Sequence, residues 1–65
     1  MKRVEFVKHL TAHYCILLRE GRNHSVFMNE KNKKQSAVPR HRELSDMLCK
    51  KICKQLEITD IKKSK

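Results

Sequence analysis

Apolar residues recur at helical spacing near both ends of the chain, and short β-rich runs separated by turns lie between them. The clearest stripe lies near the carboxyl end, where Leu48, Ile52 and Leu56 repeat every four residues. This spacing predicts an amphipathic helix, and Ser45 has the hydroxyl side chain of a good N-cap. Such a helix needs a second layer of structure against which to bury its apolar face.

Three β-rich runs occupy the middle of the chain. Gly21 precedes the second run and can supply the positive φ that a tight hairpin demands. The polar residues 29–33 are typical of a hairpin loop, and Pro39 ends the third run because proline cannot donate to a sheet. The predicted elements are a helix over residues 2–13, strands over 14–18, 24–28 and 35–38, and a helix that begins after Ser45.

This order predicts an α+β domain of α-β-β-β-α topology, with a three-stranded antiparallel sheet and both helices on one face. The double-stranded-RNA-binding domain has the same order, which is an analogy of fold and not of function. With 65 residues the chain can form one domain, which we place over residues 1–58. The basic residues 59–65 are expected to form a frayed tail. The expected core is Val4, Val7, Leu10, Ile16, Leu18, Val26, Leu48, Ile52 and Leu56.

The charge balance favours a polyanionic partner. Sixteen Lys and Arg against seven Asp and Glu give a formal net charge of +9. A field of this sign attracts nucleic acid, although a solvated Lys-rich surface is the simpler alternative. No run approaches the roughly 20 apolar residues that span a bilayer, and no secretory leader is evident. We therefore expect a cytoplasmic protein without a membrane partner.

Two cysteines and two histidines have a spacing that can bind a metal on a helix. Cys49 and Cys53 fall on the apolar stripe of the second predicted helix, so we interpret them as small buried hydrophobic residues. His9 and His13 lie four residues apart, a spacing that can bind a metal on a helix, but no third ligand is evident. The sequence therefore predicts neither a bound metal nor a cofactor.

Three segments resemble those of a known family. Residues 19–27, Arg-Glu-Gly-Arg-Asn-His-Ser-Val-Phe, resemble the Gly-x-x-His-x-x-aromatic signature of the HicA (YcfA-like) toxins. Residues 37–44 resemble the Val-Pro-x-His segment before the family's second helix, and residues 50–58 its closing Ile-x-x-x-Leu-x-Ile block. The resemblance covers residues 3–58. It implies a toxin–antitoxin system, in which the toxin is a ribosome-independent ribonuclease acting on mRNA and a HicB antitoxin inhibits it.

The family's catalytic histidine corresponds to His24. Many members have Gly-Ser-His where this chain has Arg22-Asn23-His24, a change that alters how closely an RNA backbone approaches the turn. Because RNA carries its own nucleophile, the 2′-hydroxyl, a histidine can promote cleavage by proton transfer without a metal. Most surface histidines have no such role, so the resemblance supplies most of the weight of this assignment.

Further RNA contacts are expected around His24 and at the second hairpin. His41 could be a second acid/base group, a phosphate ligand, or a polar loop residue without a function. The lysines of the hairpin tip could equally be solvated. The residues predicted to bind RNA are Arg22, Asn23, Lys33, Lys34, Arg40, His41 and Arg42.

Two alternatives to an endoribonuclease remain at the level of sequence. The first is a non-catalytic RNA-binding module of the double-stranded-RNA-binding type, against which the start of the second helix, Ser45-Asp46-Met47, is not basic. The second is an inactive relative that only binds the antitoxin.

Overall fold

A computed structural model of the chain describes residues 1–60. It contains two helices and three strands in the order α-β-β-β-α, which confirms the α+β class and the topology predicted from the sequence. The helix α1 spans Arg3–Ala12, the strands β1, β2 and β3 span Cys15–Glu20, His24–Asn29 and Gln35–Pro39, and the helix α2 spans Asp46–Leu56.

The three strands form one antiparallel sheet in the order β1-β2-β3. The register of β2 and β3 places His24 opposite Pro39. The pairing of β1 with β2 shifts between Leu17 and Arg19, which is a β-bulge. The beginning of β2 therefore lies beside the end of β3, where the chain leaves the sheet.

One face of the sheet carries both helices. In β2 the buried residues alternate, as a half-covered strand requires, and they include Phe27. The buried side chains of the strands and of both helices form one cluster, so α1 and α2 pack on the same side. The core consists of Phe6, Leu10, Cys15, Phe27, Val38, Leu44, Cys49, Ile52, Cys53 and Leu56.

The expected core position of Val4 is wrong, because this side chain is 66% exposed. Phe6 and Leu10 define the buried face of α1, and both are fully buried. Successive helical residues are about 100° apart, so Val4 lies roughly 160° around the helix from Phe6. It therefore points away from the sheet.

The expected core positions of Ile16 and Leu18 are also wrong, at 39% and 41% exposure. Cys15 takes the inward position at the start of β1, so Ile16, paired with Met28, lies on the opposite face. Leu18 lies at the bulge. The expected core position of Val26 is wrong as well, because Val26 alternates with the buried Ser25 and Phe27 and so lies on the opposite face of β2, outside the core cluster. The remaining predicted core residues lie in the core cluster or pack against it: Val7, Leu10, Leu48, Ile52 and Leu56.

Hydrogen bonds at its ends determine where α2 begins and stops. The Ser45 hydroxyl accepts from the Leu48 amide at 3.1 Å, which confirms Ser45 as the N-cap. At the other end the Glu57 backbone adopts the left-handed αL conformation, with φ 58°. The Ile58 amide donates to the Cys53 carbonyl at 3.0 Å. This is a Schellman motif, and it turns Ile58 back against the core.

The loop between β2 and β3 is attached to the end of α2. The side-chain amide of the buried Asn29 donates to the Leu56 carbonyl at 2.9 Å, and that of Asn32 donates to the same oxygen at 3.1 Å. The side-chain oxygen Oδ1 of Asn29 also accepts from the Lys31 backbone amide at 2.8 Å. These bonds satisfy helix-end and loop groups that would otherwise be unpaired.

Only part of the predicted tail falls within the described residues. Thr59 contacts α1, because its carbonyl accepts a hydrogen bond from the His9 imidazole Nε2 at 2.7 Å. Residues 61–65 lie outside the part of the chain that the structure describes. Within residues 1–60, neither helix has the length and apolar character needed to cross a lipid bilayer.

All three cysteines are buried, at 1% exposure or less. This confirms the interpretation of Cys49 and Cys53 as core residues. Burial raises the pKa of the Cys15 thiol. Burial also raises the pKa of Cys49, outweighing the opposing Met1 ammonium group, and the Asp46 carboxylate adds to the rise. A raised pKa and a closed environment both disfavour the reactive thiolate.

We therefore expect the three thiols of the native protein to react slowly with a disulfide reagent at neutral pH, and all three to react promptly in denaturant. Reaction then requires opening of the core, so its rate should fall in step with increasing stability. Absorbance of the thiol that the reagent releases measures the reaction in the native protein and in denaturant. A native cysteine that reacts as fast as free cysteine would contradict this burial.

A candidate active site at the end of the sheet

The turn between β1 and β2 brings its own residues close together. The Gly21 amide donates to the His24 carbonyl at 2.6 Å, so Arg22 and Asn23 form the two-residue tip. A Cβ atom at Gly21 would lie 3.0 Å from that carbonyl oxygen. The positive φ expected at Gly21 is wrong, because the φ of Gly21 is not positive. The close approach of the two backbones explains the glycine instead.

The end of β3 runs beside this turn. The Arg40 amide donates to the Asn23 carbonyl at 3.2 Å, which continues the pairing of β2 and β3 beyond His24 and Pro39. Arg40 and the residue after it, His41, therefore lie next to the hairpin tip. Strand register thus brings together two chain segments that are distant in the sequence.

The two segments line a shallow cleft of about 380 Å³. We call it the histidine cleft and define it by its lining residues: Arg22, Asn23, His24, Arg40 and His41. All five were among the site residues predicted from the sequence. The lining contains two guanidinium groups and no carboxylate, so it presents positive charge to a ligand.

The other predicted RNA-binding residues lie elsewhere. Lys33 and Lys34 follow the far end of β2 from His24, about 17 Å away at roughly 3.3 Å per residue along a strand. Lys34 forms an ion pair with Glu57 at 3.9 Å. Arg42 lines a separate groove beside the beginning of α1. The structure therefore does not place these three basic residues in the cleft.

A polar network supports the cleft from below. Arg3, in the first turn of α1, donates through Nε to the Pro39 carbonyl and through Nη2 to the Ser25 hydroxyl, both at 2.9 Å. Ser25 donates to Glu20 Oε1 at 3.0 Å, and the same oxygen lies 3.2 Å from Arg40 Nη1. The network joins α1 to all three strands where the cleft is built.

This network orients the Arg40 guanidinium and partly neutralises its charge. Arg40 Nη1 also donates to the Gly21 carbonyl at 3.1 Å. Because Arg40 and Glu20 are each about half exposed, their ion pair contributes little stability by itself, and its effect is mainly on side-chain position.

Sequence reasoning missed Arg3, Glu20 and Ser25. The alternation of β2 puts Ser25 on the buried face, where a hydroxyl needs a partner, and that was the only available signal.

The two imidazoles of the cleft are free of such contacts. Among residues 1–60, no hydrogen bond or ion pair engages the side chain of His24 or His41, and both are exposed. In contrast, His13 donates through Nδ1 to the His9 carbonyl at 2.9 Å, and the two rings lie 4.3 Å apart. The described residues contain no group of three or more His, Cys, Asp or Glu arranged to hold a metal ion.

Comparison with known proteins identifies the family. A family model described as the HicA toxin of bacterial toxin–antitoxin systems matches residues 4–58 of the 65-residue chain. The chain belongs to the HicA toxin family. The matched segment contains the whole sheet, α2 and the histidine cleft, and this membership confirms the resemblance found in the motifs. A HicA protein is the toxin of such a pair, which implies an antitoxin as its partner. No curated protein and no solved structure gives a significant match to the chain.

Proposed function

We propose that the protein is a cytoplasmic, metal-independent endoribonuclease that cleaves mRNA, with His24 as a proton-transfer group. The observation that carries the proposal is the unengaged imidazole of His24 in a cleft that also contains Arg22 and Arg40. Membership of the HicA toxin family supports it, because a ribonuclease is the activity that the signature around His24 implies.

The reaction requires two proton transfers at one phosphodiester. The 2′-hydroxyl loses its proton and its oxygen attacks the adjacent phosphorus, while the bond from phosphorus to the 5′-oxygen breaks. The leaving 5′-oxygen gains a proton. The products are a 2′,3′-cyclic phosphate and a 5′-hydroxyl. His24 transfers one of these protons, since imidazole both accepts and donates protons near neutral pH.

The arginines act on the charge of the phosphate. Negative charge grows on the phosphoryl oxygens as the 2′-oxygen attacks, and a guanidinium placed there in advance stabilises it. Among residues 1–60, Arg22 has no hydrogen-bond or ion-pair partner, so its charge is available to a ligand. Arg40 retains free guanidinium edges beyond the one that faces Glu20. The Asn23 amide can hydrogen-bond a phosphate or a base.

The charge of the whole chain supports both proposed partners. With a formal net charge of +9, the protein attracts RNA from a distance, and an RNA-binding surface of this kind makes several phosphate contacts. The same field suits a HicB-like antitoxin whose acidic surface occludes the histidine cleft. In the complex the antitoxin carboxylates take the place of the RNA phosphates beside Arg22 and Arg40.

Cleavage of RNA in the presence of EDTA tests the proposal. Purified protein should cut a single-stranded RNA in excess EDTA and leave 2′,3′-cyclic phosphate ends, detected by mass spectrometry. A DNA oligonucleotide of the same sequence should stay intact because it lacks the 2′-hydroxyl. Replacing only the nucleotide 5′ of a cut bond by its 2′-deoxy form is the matched substrate control, and it should protect that bond alone.

Two results would contradict the proposal in different ways. RNA that is bound but never cut would instead support the non-catalytic RNA-binding module. Cleavage that stops in EDTA and returns with a divalent cation would show a metal-dependent reaction, which the proposed histidine chemistry does not require.

A further inference from the structure

The lining of the histidine cleft contains two imidazole groups, and the proposed function uses one of them. Its other members are two arginines, which stay charged, and an asparagine, which does not titrate. Histidine is the side chain that ordinarily changes charge between pH 5 and 8. His24 and His41 are therefore the two residues of this lining that are suited to general acid/base catalysis.

The fold brings these two side chains together from different elements. His24 is the first residue of β2, and His41 is the second residue after β3. The pairing of His24 with Pro39, continued by the bond from the Arg40 amide to the Asn23 carbonyl, fixes the two segments side by side. Both imidazoles are exposed, and no contact within residues 1–60 commits either ring to a structural role.

The geometry of the reaction favours two groups over one. In a displacement at phosphorus the attacking and leaving oxygens lie roughly in line, on opposite sides of the phosphorus atom. A single imidazole beside the 2′-oxygen is therefore badly placed to protonate the 5′-oxygen in the same step. The second imidazole in the lining of the same cleft is the group that could supply this proton.

We propose that His41 is a second catalytic residue, which forms an acid/base pair with His24. One imidazole accepts the proton of the 2′-hydroxyl as the new bond from the 2′-oxygen to phosphorus forms. The other, protonated beforehand, donates its proton to the 5′-oxygen as the bond from phosphorus to that oxygen breaks. The pair thereby exchanges its protonation states, and solvent returns them afterwards. This inference rests on the proposed ribonuclease function.

A sulfur-substituted RNA tests the pair directly. The substrate is an oligonucleotide with sulfur in place of the 5′-oxygen at a bond that the wild-type protein cuts, and the matched control has oxygen there. A thiolate leaves without being protonated, so the general acid becomes unnecessary, whereas the general base is still needed. Rates at saturating substrate should be measured for wild type and for His24→Ala, His41→Ala and His41→Gln.

With the oxygen substrate, each of these variants should be about 10²–10⁴ slower than wild type. With the sulfur substrate, the variants of one histidine should recover to near the wild-type rate, and those of the other should stay slow. The recovered position is the acid. The bell-shaped pH profile of the wild-type rate should also lose one limb when either histidine is replaced.

Several results would overturn this inference alone. These are wild-type rates for both His41 variants on the oxygen substrate, recovery of both positions by sulfur, and recovery of neither. His41→Gln keeps a polar side chain of similar size, so it separates proton transfer from a loss of packing at this position. Wild-type protein that cuts neither substrate would overturn the ribonuclease function itself, and the inference with it.

Discussion

Replacing His24 by alanine should lower the rate of RNA cleavage by about 10²–10⁴, the usual effect of losing one general acid or base. The fold should survive this change. The His24 side chain is exposed and, within residues 1–60, holds no hydrogen bond or ion pair that would be lost. The backbone carbonyl of residue 24, which accepts from the Gly21 amide, is unaffected by the substitution.

The matched control for this experiment is His13→Ala. His13 is also a histidine, but it lies at the end of α1, where its imidazole donates to the His9 carbonyl of the same helix. Its replacement should leave cleavage unchanged. Cleavage rates, RNA affinity and circular dichroism should be measured for both variants, together with growth arrest on induced expression. Purified His24→Ala protein that cleaves at the wild-type rate would end the assignment of His24 as a catalytic residue.

Replacing Ile52 by alanine should reduce the free energy of unfolding by about 2–5 kcal/mol. Ile52 is 2% exposed and lies in the single core cluster, so truncation removes buried methyl groups and leaves a cavity. A domain of 65 residues has a total stability of roughly 3–10 kcal/mol at about 0.05–0.15 kcal/mol per residue. The loss is thus a large share of the total.

Ile16→Ala is the matched control, because it deletes the same atoms at a position that is 39% exposed. We expect it to cost roughly 1 kcal/mol or less, since much of that side chain is already in water. Urea denaturation followed by circular dichroism compares the two variants. If Ile52→Ala does not fold, Ile52→Val should still lose about 0.5–1.5 kcal/mol. Equal losses at Ile16 and Ile52 would contradict the assignment of faces in β1 and α2.

The order of elements could be predicted because each of them carries a local signal. The stripe that contains Ile52 specifies the buried face of α2, and Ser45 specifies where the helix begins. The faces of β1 could not be predicted in the same way. Residues 14–18 are continuously apolar, so no alternation with polar residues indicates which side chains point inward. The bulge after Leu17 changes the phase again, and it depends on pairing with β2.

The candidate site also has parts that a local sequence pattern predicts and parts that depend on contacts between distant segments. The motif around His24 predicted one half of the cleft, because its members are neighbours in the sequence. The segment after Pro39 predicted the other half, but only the register of β2 and β3 shows that the two halves meet. The support from Arg3 could not be predicted from the sequence, since the residues that Arg3 contacts are 22 and 36 positions away along the chain. Contacts of this kind follow from the packing of α1 and carry no local pattern.

That single arginine has a consequence for how the protein opens. Arg3 is in the first turn of α1, and helix ends are where a native structure unravels first. Its guanidinium also bonds Pro39, the last residue of β3, which directly precedes the cleft residue Arg40. It bonds Ser25 as well, the residue after His24. Loss of one helical turn at the amino end therefore removes a support that both walls of the cleft share, while the pairing of β2 with β3 remains. We therefore expect opening of that turn to loosen the cleft, so that amide protection at the start of α1 and at the cleft changes together.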